Sequence, residues 1–139
     1  MLKVETVISE KPKRNGIGLS VHFSLQGKGG VGKSFVASLL SQYFLEKNIG
    51  KVFCIDSDPI NATFSGYEEL KADHLDVMKR GRVHERQFDS LIERIFHEEG
   101  VFVIDTGATN FIPLWHYILE NEILRPLGDQ GRKVFVHVV

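Results

Sequence analysis

The sequence predicts an α/β fold, with a mainly parallel sheet and helices on both of its faces. Two observations lead to this prediction. Four short apolar segments recur along the chain, and stretches with helical patterning separate them, which is the order that builds a parallel sheet. The first apolar segment also runs directly into a glycine-rich loop, residues 26–34 with the sequence QGKGGVGKS, and the loop opens into a helical segment. Strand, loop and helix in that order are the unit from which open parallel sheets are assembled.

Length and composition fit one globular domain. The chain has 139 residues, and 42% of them are apolar, which is enough for a single hydrophobic core. Its 17 basic residues nearly balance its 18 acidic ones, which excludes a chain-wide attraction to nucleic acid or to an anionic membrane. The single cysteine, Cys54, lies in the apolar run KVFCID, so a disulfide scaffold is excluded and a buried, inert thiol is predicted.

The sequence also lacks the patterns of a membrane or secreted protein. No apolar run approaches the roughly 20 residues of a transmembrane helix, and the N-terminal residues show no basic region followed by an apolar stretch. We therefore expect a cytoplasmic protein.

Residues 1–16 are predicted to be a flexible leader, and residues 17–139 one domain. The leader ends at the turn-forming pair Asn15–Gly16. In the strand that follows, over 17–25, apolar residues alternate with small or polar ones, which are Gly18, Ser20, His22 and Ser24. Alternation is typical of a half-exposed strand, whereas a central parallel strand is usually apolar on both faces. We expect a helix to cover the small residues, which would reconcile the two.

The later elements follow from the same kinds of pattern. The helix after the glycine loop is predicted to place Phe35, Leu39, Leu40 and Phe44 on one face. Further strands are predicted at 52–55, 101–104 and 134–139, a short one at 75–78, and helices at 83–97 and 112–124. Because the last strand is still apolar where the chain stops, we expect the domain to lack its C-terminal part.

The glycine loop matches the phosphate-binding spacing G-x-x-x-x-G-K-[ST], with Gly27, Gly32, Lys33 and Ser34 in the defining positions. Backbone N–H groups of such a loop converge on phosphate oxygens, the lysine reaches the terminal phosphates, and the serine hydroxyl binds Mg²⁺. The fold prediction thereby becomes a P-loop NTPase-type sheet. The residues predicted to bind the nucleotide are Gly27, Lys28, Gly29, Gly30, Val31, Gly32, Lys33, Ser34 and Phe35.

Three aspartates are predicted to join the glycine loop at the same edge of the sheet. Asp56 and Asp58 lie just past the second main strand, and Asp105 lies just past the third. Ligands of open parallel sheets bind at these carboxyl ends. We therefore expect a metal–nucleotide site, in which Lys33 and Ser34 with Mg²⁺ stabilise the phosphates and an aspartate lies beside the attacking water.

The extra lysine of the loop, Lys28, is a cation that the spacing allows to reach phosphates bound by its own chain or by a facing one. The segments KGGVGKS, IDSDPINAT and VFVID together resemble the MinD/ParA family of ATPases, which carry a deviant Walker A motif, from Val21 to Asn110. The resemblance implies ATP and Mg²⁺ as cofactors, slow ATP hydrolysis that a partner accelerates, and a homodimer that forms around the nucleotide. Residues 17–139 are then the N-terminal portion of a P-loop ATPase domain.

The resemblance also implies roles by position. Lys28 crosses the dimer to the partner's phosphates, Lys33 binds phosphate within its own chain, and Asp58 orients the hydrolytic water; these three form the implied catalytic set. The implied metal set is Ser34, which binds Mg²⁺, with Asp56 and Asp105, which hold the waters of the metal.

Longer segments around the motifs narrow the resemblance further. CIDSDPINATFSGY and VIDTGATNFIPL resemble members of the family that act in conjugal plasmid transfer, which implies a conjugation or plasmid-transfer protein as a partner. One departure is that Thr106 leads directly into Gly107, where many members have a proline and a small residue. Two other functions remain open on the same loop: a nucleotide-binding regulatory module with little hydrolysis, and a small-molecule kinase.

Overall fold

The computed structural model describes residues 2–4, 19–25, 32–58 and 63–139. The strands in these ranges are β1 (Leu2–Val4), β2 (Ser20–Leu25), β3 (Val52–Asp56), β4 (Asp73–His74), β5 (Met78–Lys79), β6 (Arg82–Val83), β7 (Val101–Asp105) and β8 (Lys133–Val138). The α-helices are α1 (Lys33–Lys47), α2 (Glu85–His97), α3 (Phe111–Glu120) and α4 (Leu124–Asp129), and short 3₁₀ helices lie at Phe64–Gly66 and Glu68–Leu70. The strands predicted at 52–55, 101–104 and 134–139 correspond to β3, β7 and β8.

Six of these strands form one sheet, in the order β1-β8-β2-β7-β3-β4. All neighbouring pairs run parallel except β1 and β8, which pair antiparallel at one edge. β5 and β6 form a separate antiparallel hairpin. The prediction of an α/β fold with a mainly parallel sheet is confirmed. Three residues of the predicted leader, Leu2–Val4, belong to this sheet, and residues 5–16 lie outside the described ranges.

Helices cover both faces of the sheet, as predicted. In β7, Phe102 and Ile104 pack into a core cluster with residues of α2 and α3, whereas Val101 and Val103 pack into a second cluster with residues of α1. This division follows from the pleat of a strand, which directs successive side chains to opposite faces. The residues that α2 buries in the first cluster are Phe88, Leu91, Ile92 and Ile95.

β2 lies in the interior of the sheet, between β8 and β7. Its small and polar residues are nevertheless buried, since Ser20, His22 and Ser24 are 1%, 5% and 1% exposed. The centroid of the His22 ring lies 4.8 Å from that of Phe44 in α1 and 4.7 Å from that of Phe135 in β8. A covering helix therefore explains the alternating pattern of this strand, as the sequence predicted.

The buried face of α1 differs from the predicted one. Phe35 and Leu39 are 59% and 49% exposed, whereas Phe44 is buried. The other apolar or small side chains that the helix buries are Ala37, Ser38 and Ser41. The two serine hydroxyls donate to backbone carbonyls of the preceding turn, at 2.7 and 2.9 Å, so their burial leaves no unpaired group. The prediction is confirmed for Phe44 and for Leu40, which packs half-buried against the same core, and was wrong for Phe35 and Leu39. Apolar periodicity gives no weight to small hydroxyl residues as packing surface.

The helix predicted at 112–124 is in fact two helices, α3 and α4. They are separated by residues 121–123, where Glu122 has a φ of 51°. A continuous right-handed helix does not include that conformation. The strand predicted at 75–78 was also wrong, because residues 75–77 lie between β4 and β5 and only Met78 of that range belongs to a strand.

Two single features also bear on the sequence predictions. Cys54 is 4% exposed, which confirms that the thiol is buried, and this burial raises its pKa. None of the helices in the described part of the chain has the length and apolar character needed to cross a bilayer.

Candidate functional site

The predicted site residues that the structure describes lie at the carboxyl edge of the sheet. α1 begins at Lys33 after the loop that follows β2, β3 ends at Asp56, and β7 ends at Asp105. Because β7 lies between β2 and β3, these three strand ends are neighbours. The remaining loop residues, Gly27, Lys28, Gly29, Gly30 and Val31, lie outside the described residues, and their roles stay predictions.

The last residues of the glycine loop form the beginning of α1. Gly32 has a φ of 89°, a left-handed conformation that glycine adopts without strain. Lys33 is 6% exposed, and its carbonyl accepts the hydroxyl of Ser24 at 3.2 Å. This bond fixes the first turn of the helix to the end of β2. The N-terminus of a helix favours an anion, so the position suits phosphate. The side chain of Phe35 is exposed, and its nucleotide contact stays a prediction.

Ser34 and Asp105 are joined by a short hydrogen bond. The hydroxyl of Ser34 donates to Oδ2 of Asp105 at 2.5 Å. Asp105 is fully buried, and its Oδ1 has no hydrogen-bond partner among the described residues. Burial raises the pKa of Asp105 to about 6; the charges of Asp56 and Asp58 add to the rise, and the Ser34 bond and the Lys33 charge oppose it. A buried carboxylate in these surroundings is stabilised by a cation placed beside its free oxygen.

Asp56 is also fully buried, but both of its carboxylate oxygens accept hydrogen bonds from backbone N–H groups. Oδ1 accepts the N–H of Asp58 at 3.0 Å, and Oδ2 accepts the N–H of Ser65 at 2.8 Å. Each oxygen retains a further lone pair, so these bonds are compatible with the predicted contact to a metal-bound water. They also fix the start of the loop that carries Asp58, which is 8% exposed.

Thr106 fixes the loop after β7, at the point where the sequence departs from the MinD/ParA pattern. Its hydroxyl donates to the carbonyl of Ser24 at 2.8 Å. The carbonyl of Ser24 and the hydroxyl of Ser24 are thus bonded to two different parts of the site, the loop after β7 and the first turn of α1. The Thr106 side chain therefore ties the loop after β7 to the end of β2.

Sequence reasoning missed Asn110 and Ser57. Asn110 is fully buried, and its Nδ2 donates to the carbonyl of Ser57 at 2.7 Å. In the sequence Asn110 directly precedes an apolar helical segment, a pattern that predicts a helix cap. Nothing in the local pattern indicates a contact with a residue 53 positions earlier in the chain.

The side chains at this edge fit a magnesium ion that phosphates help to hold. In the described ranges, no group of three or more His, Cys, Asp or Glu side chains is arranged to bind a metal ion on its own. Mg²⁺ usually binds through one or two protein oxygens together with waters and substrate phosphates. The Ser34 hydroxyl and the unpartnered Oδ1 of Asp105 are oxygen donors of that kind. The metal set of Ser34, Asp56 and Asp105 stays a prediction.

Comparison with known proteins finds relatives of the chain. Over 119 residues it is 45% identical to one protein named TraL from Escherichia coli and 42% identical to another. The chain is similar to TraL. No family model matches the chain, and no solved structure matches it.

The similarity to the TraL proteins extends over most of this chain but only part of theirs. It covers 86% of the chain and 49% of each relative. The chain spans about half the length of the curated relatives it matches. The region of similarity therefore includes the described site but covers only about half of each TraL sequence.

Proposed function

We propose that the chain is the nucleotide-binding part of a Mg²⁺-dependent ATPase switch of the MinD/ParA type, with a sheet of the P-loop NTPase kind. The reaction converts ATP and water to ADP and phosphate. The observation that carries the proposal is the 2.5 Å hydrogen bond from Ser34 to Asp105. It joins the end of the phosphate loop to the acid at the end of β7, and it leaves one buried oxygen of Asp105 available to a cation.

In this proposal each of the described site residues has its own role. Lys33, at the start of α1, is the cation for the terminal phosphates. Ser34 would bind Mg²⁺ and Asp105 would hold its waters; the ion would supply positive charge that offsets the charge developing on the transferred phosphoryl group. Asp58 orients the attacking water, and Asp56 fixes the loop of Asp58 by accepting its N–H at 3.0 Å.

We also propose that the ATP-bound chain forms a homodimer, in which Lys28 reaches the phosphates of the partner. This part of the proposal rests on the lysine that precedes the paired glycines in GKGGVGKS. The similarity to the TraL proteins supports the role in conjugal plasmid transfer that the sequence resemblance implies. In that role a transfer protein is the partner that accelerates turnover.

Phosphate release from ATP by the 139-residue chain, measured with Mg²⁺ and with EDTA, tests the enzymatic part of the proposal. We expect turnover that requires Mg²⁺. Lys33→Ala is expected to lower it by about 100-fold, because one group that stabilises developing charge is lost. Lys79→Ala is the matched control, since Lys79 is an exposed lysine in the β5–β6 hairpin; its turnover should equal that of the unmodified chain.

The same preparations separate the proposal from its rivals. ATP binding without phosphate release would identify a regulatory module, and phosphate transfer only to an added small molecule would identify a kinase. Sedimentation with ATP and with ADP tests the dimer. We expect a dimer with ATP that is lost in Lys28→Ala, and a dimer that survives this substitution would contradict the role given to Lys28.

A further inference from the structure

Asn110 occupies the N-cap position of α3, but it does not cap the helix. Its backbone has φ −106° and ψ −3°, and its side chain makes no capping hydrogen bond. Asparagine at this position normally accepts an N–H of the first helical turn, and that bond stabilises a helix by about 1 kcal/mol. The side chain of Asn110 therefore does not bond to the first turn of α3, and its hydrogen-bond partner lies elsewhere in the chain.

The partner is Ser57, which lies between Asp56 and Asp58 in the loop after β3. Nδ2 of Asn110 donates to the carbonyl of Ser57 at 2.7 Å and to its hydroxyl oxygen at 3.3 Å. Because a carbonyl only accepts, the group of Asn110 that faces it must be the amide nitrogen. The other amide atom, Oδ1, is buried and has no hydrogen-bond partner among the described residues.

Ser57 is bonded to the β7 side of the site through its other groups as well. Its N–H donates to the carbonyl of Asp105 at 2.9 Å, and its hydroxyl donates to the same carbonyl at 2.8 Å. The N–H, the hydroxyl and the carbonyl of Ser57 are thus all hydrogen-bonded to Asp105 or Asn110. Ser57 is only 1% exposed. The loop that carries Asp58 and the loop that begins at Asp105 are joined through this one serine.

We propose that Asn110 is a positioning residue that clamps these two loops together, so that Asp58 keeps a fixed place relative to Asp105. The part of this inference that concerns hydrolysis rests on the proposed function, in which Asp58 orients the attacking water and Asp105 holds the waters of Mg²⁺. Asn110 itself acts through Ser57. A displacement of a positioned group by about 1 Å can cost 100-fold in rate, so the clamp matters to turnover more than to nucleotide affinity.

Hydrogen exchange in the nucleotide-free chain tests the clamp without any activity. Asn110→Asp keeps the size of the side chain and replaces the donor with an oxygen that faces the carbonyl of Ser57. We expect the N–H of Ser57 to exchange at least about 10-fold faster, while the amides of Phe102 and Ile104 in β7 report any change in global stability. Asn121→Asp is the matched control, since Asn121 is an exposed asparagine at the end of α3.

Turnover then tests the role in hydrolysis. Asn110→Asp is expected to lower kcat by about 10-fold to 100-fold and to change ATP affinity by less than about threefold. Ser57→Ala, a smaller change, should lower kcat in the same direction. In an Asp58→Ala background, Asn110→Asp should cause no further loss, because residues that act as a unit have non-additive effects.

The outcomes separate this inference from the proposed function. Unchanged exchange at Ser57 in Asn110→Asp overturns the clamp, whether or not the chain hydrolyses ATP. Additive losses of Asn110→Asp and Asp58→Ala overturn the action of Asn110 through Asp58. A chain without turnover overturns the proposed hydrolysis, and faster exchange at Ser57 then still supports the clamp.

Discussion

At the scale of one residue, the buried carboxylate of Asp105 lowers the stability of the folded chain. The carboxyl group is fully buried, one oxygen has a single hydrogen bond from Ser34, and the other has none among the described residues. Burial raises its pKa to about 6, so the folded protein keeps this group protonated up to a higher pH than the unfolded chain does. Above that pH the folded chain must bury a charge that the unfolded chain keeps in water.

Asp105→Asn should therefore stabilise the chain in the absence of Mg²⁺ and nucleotide. The pKa of Asp105 rises from 3.8 to about 6 on folding, so its destabilising effect is absent below about pH 4 and complete above about pH 6. At pH 7.5 we expect a gain of up to about 3 kcal/mol in the free energy of unfolding, measured by urea denaturation. At pH 4 the variant and the unmodified chain should differ little.

A second measurement links this gain to the site. Asp105→Asn should lose Mg²⁺-dependent nucleotide binding while it gains stability, whereas the exposed Asp129→Asn should change the free energy of unfolding by less than about 0.5 kcal/mol. Equal stability of Asp105→Asn and the unmodified chain at pH 7.5 would contradict the unfavourable burial of this carboxylate.

At the scale of elements, the turn from α2 into β7 depends on one glycine. Gly100 is buried and has a φ of 152°. A Cβ atom at this position would lie 2.4 Å from the carbonyl oxygen of Lys51 and 2.9 Å from Cε2 of Phe53. The same carbonyl accepts the N–H of Val101 at 2.8 Å, so it is not free to move away. Close approach of β7 to the chain before β3 therefore requires glycine.

Gly100→Ala is expected to lower the free energy of unfolding by about 2 kcal/mol or more, because it combines backbone strain with overpacking. Gly66→Ala is the matched control, since a Cβ at Gly66 meets no atom within 4 Å and its φ is not in the left-handed region. Urea denaturation of both variants gives the comparison. A loss for Gly66→Ala as large as that for Gly100→Ala would show that the close contact is not the cause.

The elements also show which parts of the structure the sequence could predict. α2 was predictable because Phe88, Leu91, Ile92 and Ile95 recur at helical spacing and are all buried. The buried face of α1 was not, because small hydroxyl residues can pack against a sheet once their hydroxyls are satisfied within the helix. The positions of Asp56, Asp58 and Asp105 were predictable from the ends of apolar strands. The contact between Asn110 and Ser57 was not, because it depends on how two separate loops meet.

At the scale of the whole molecule, His22 of β2 connects the helix α1 with the neighbouring strand β8. The ring nitrogens of His22 lie 2.9 Å from Nε2 of His137 and 2.9 Å from Oγ of Ser20. Burial, with a smaller contribution from the charge of His137, lowers the pKa of His22 to about 3. The folded chain therefore keeps His22 neutral at pH values where the unfolded chain protonates it. This contribution to stability is complete above pH 6.5 and is lost as the pH falls toward 3.

His22→Gln should remove this pH dependence. The unmodified chain is expected to be the more stable of the two at pH 7.5, because His22 fills the space between Phe44 and Phe135. Its advantage should shrink as the pH falls from 6.5 to 4, by up to about 3 kcal/mol. Asp105 titrates equally in both chains, so its effect cancels. His97→Gln at an exposed position is the control, and an advantage that stays constant with pH would contradict a neutral, buried His22.

The burial of the single cysteine makes the chain suitable for thiol labelling at a chosen site. Cys54 lies under α1 with its thiol pKa raised by burial, and the thiolate is the form that reacts with alkylating reagents. The native chain is thus a nearly silent background for thiol labelling. A cysteine introduced in place of the exposed Leu39 can carry a fluorophore or spin label at one defined place. Such a label would report, from the outer face of α1, when nucleotide or a second chain arrives.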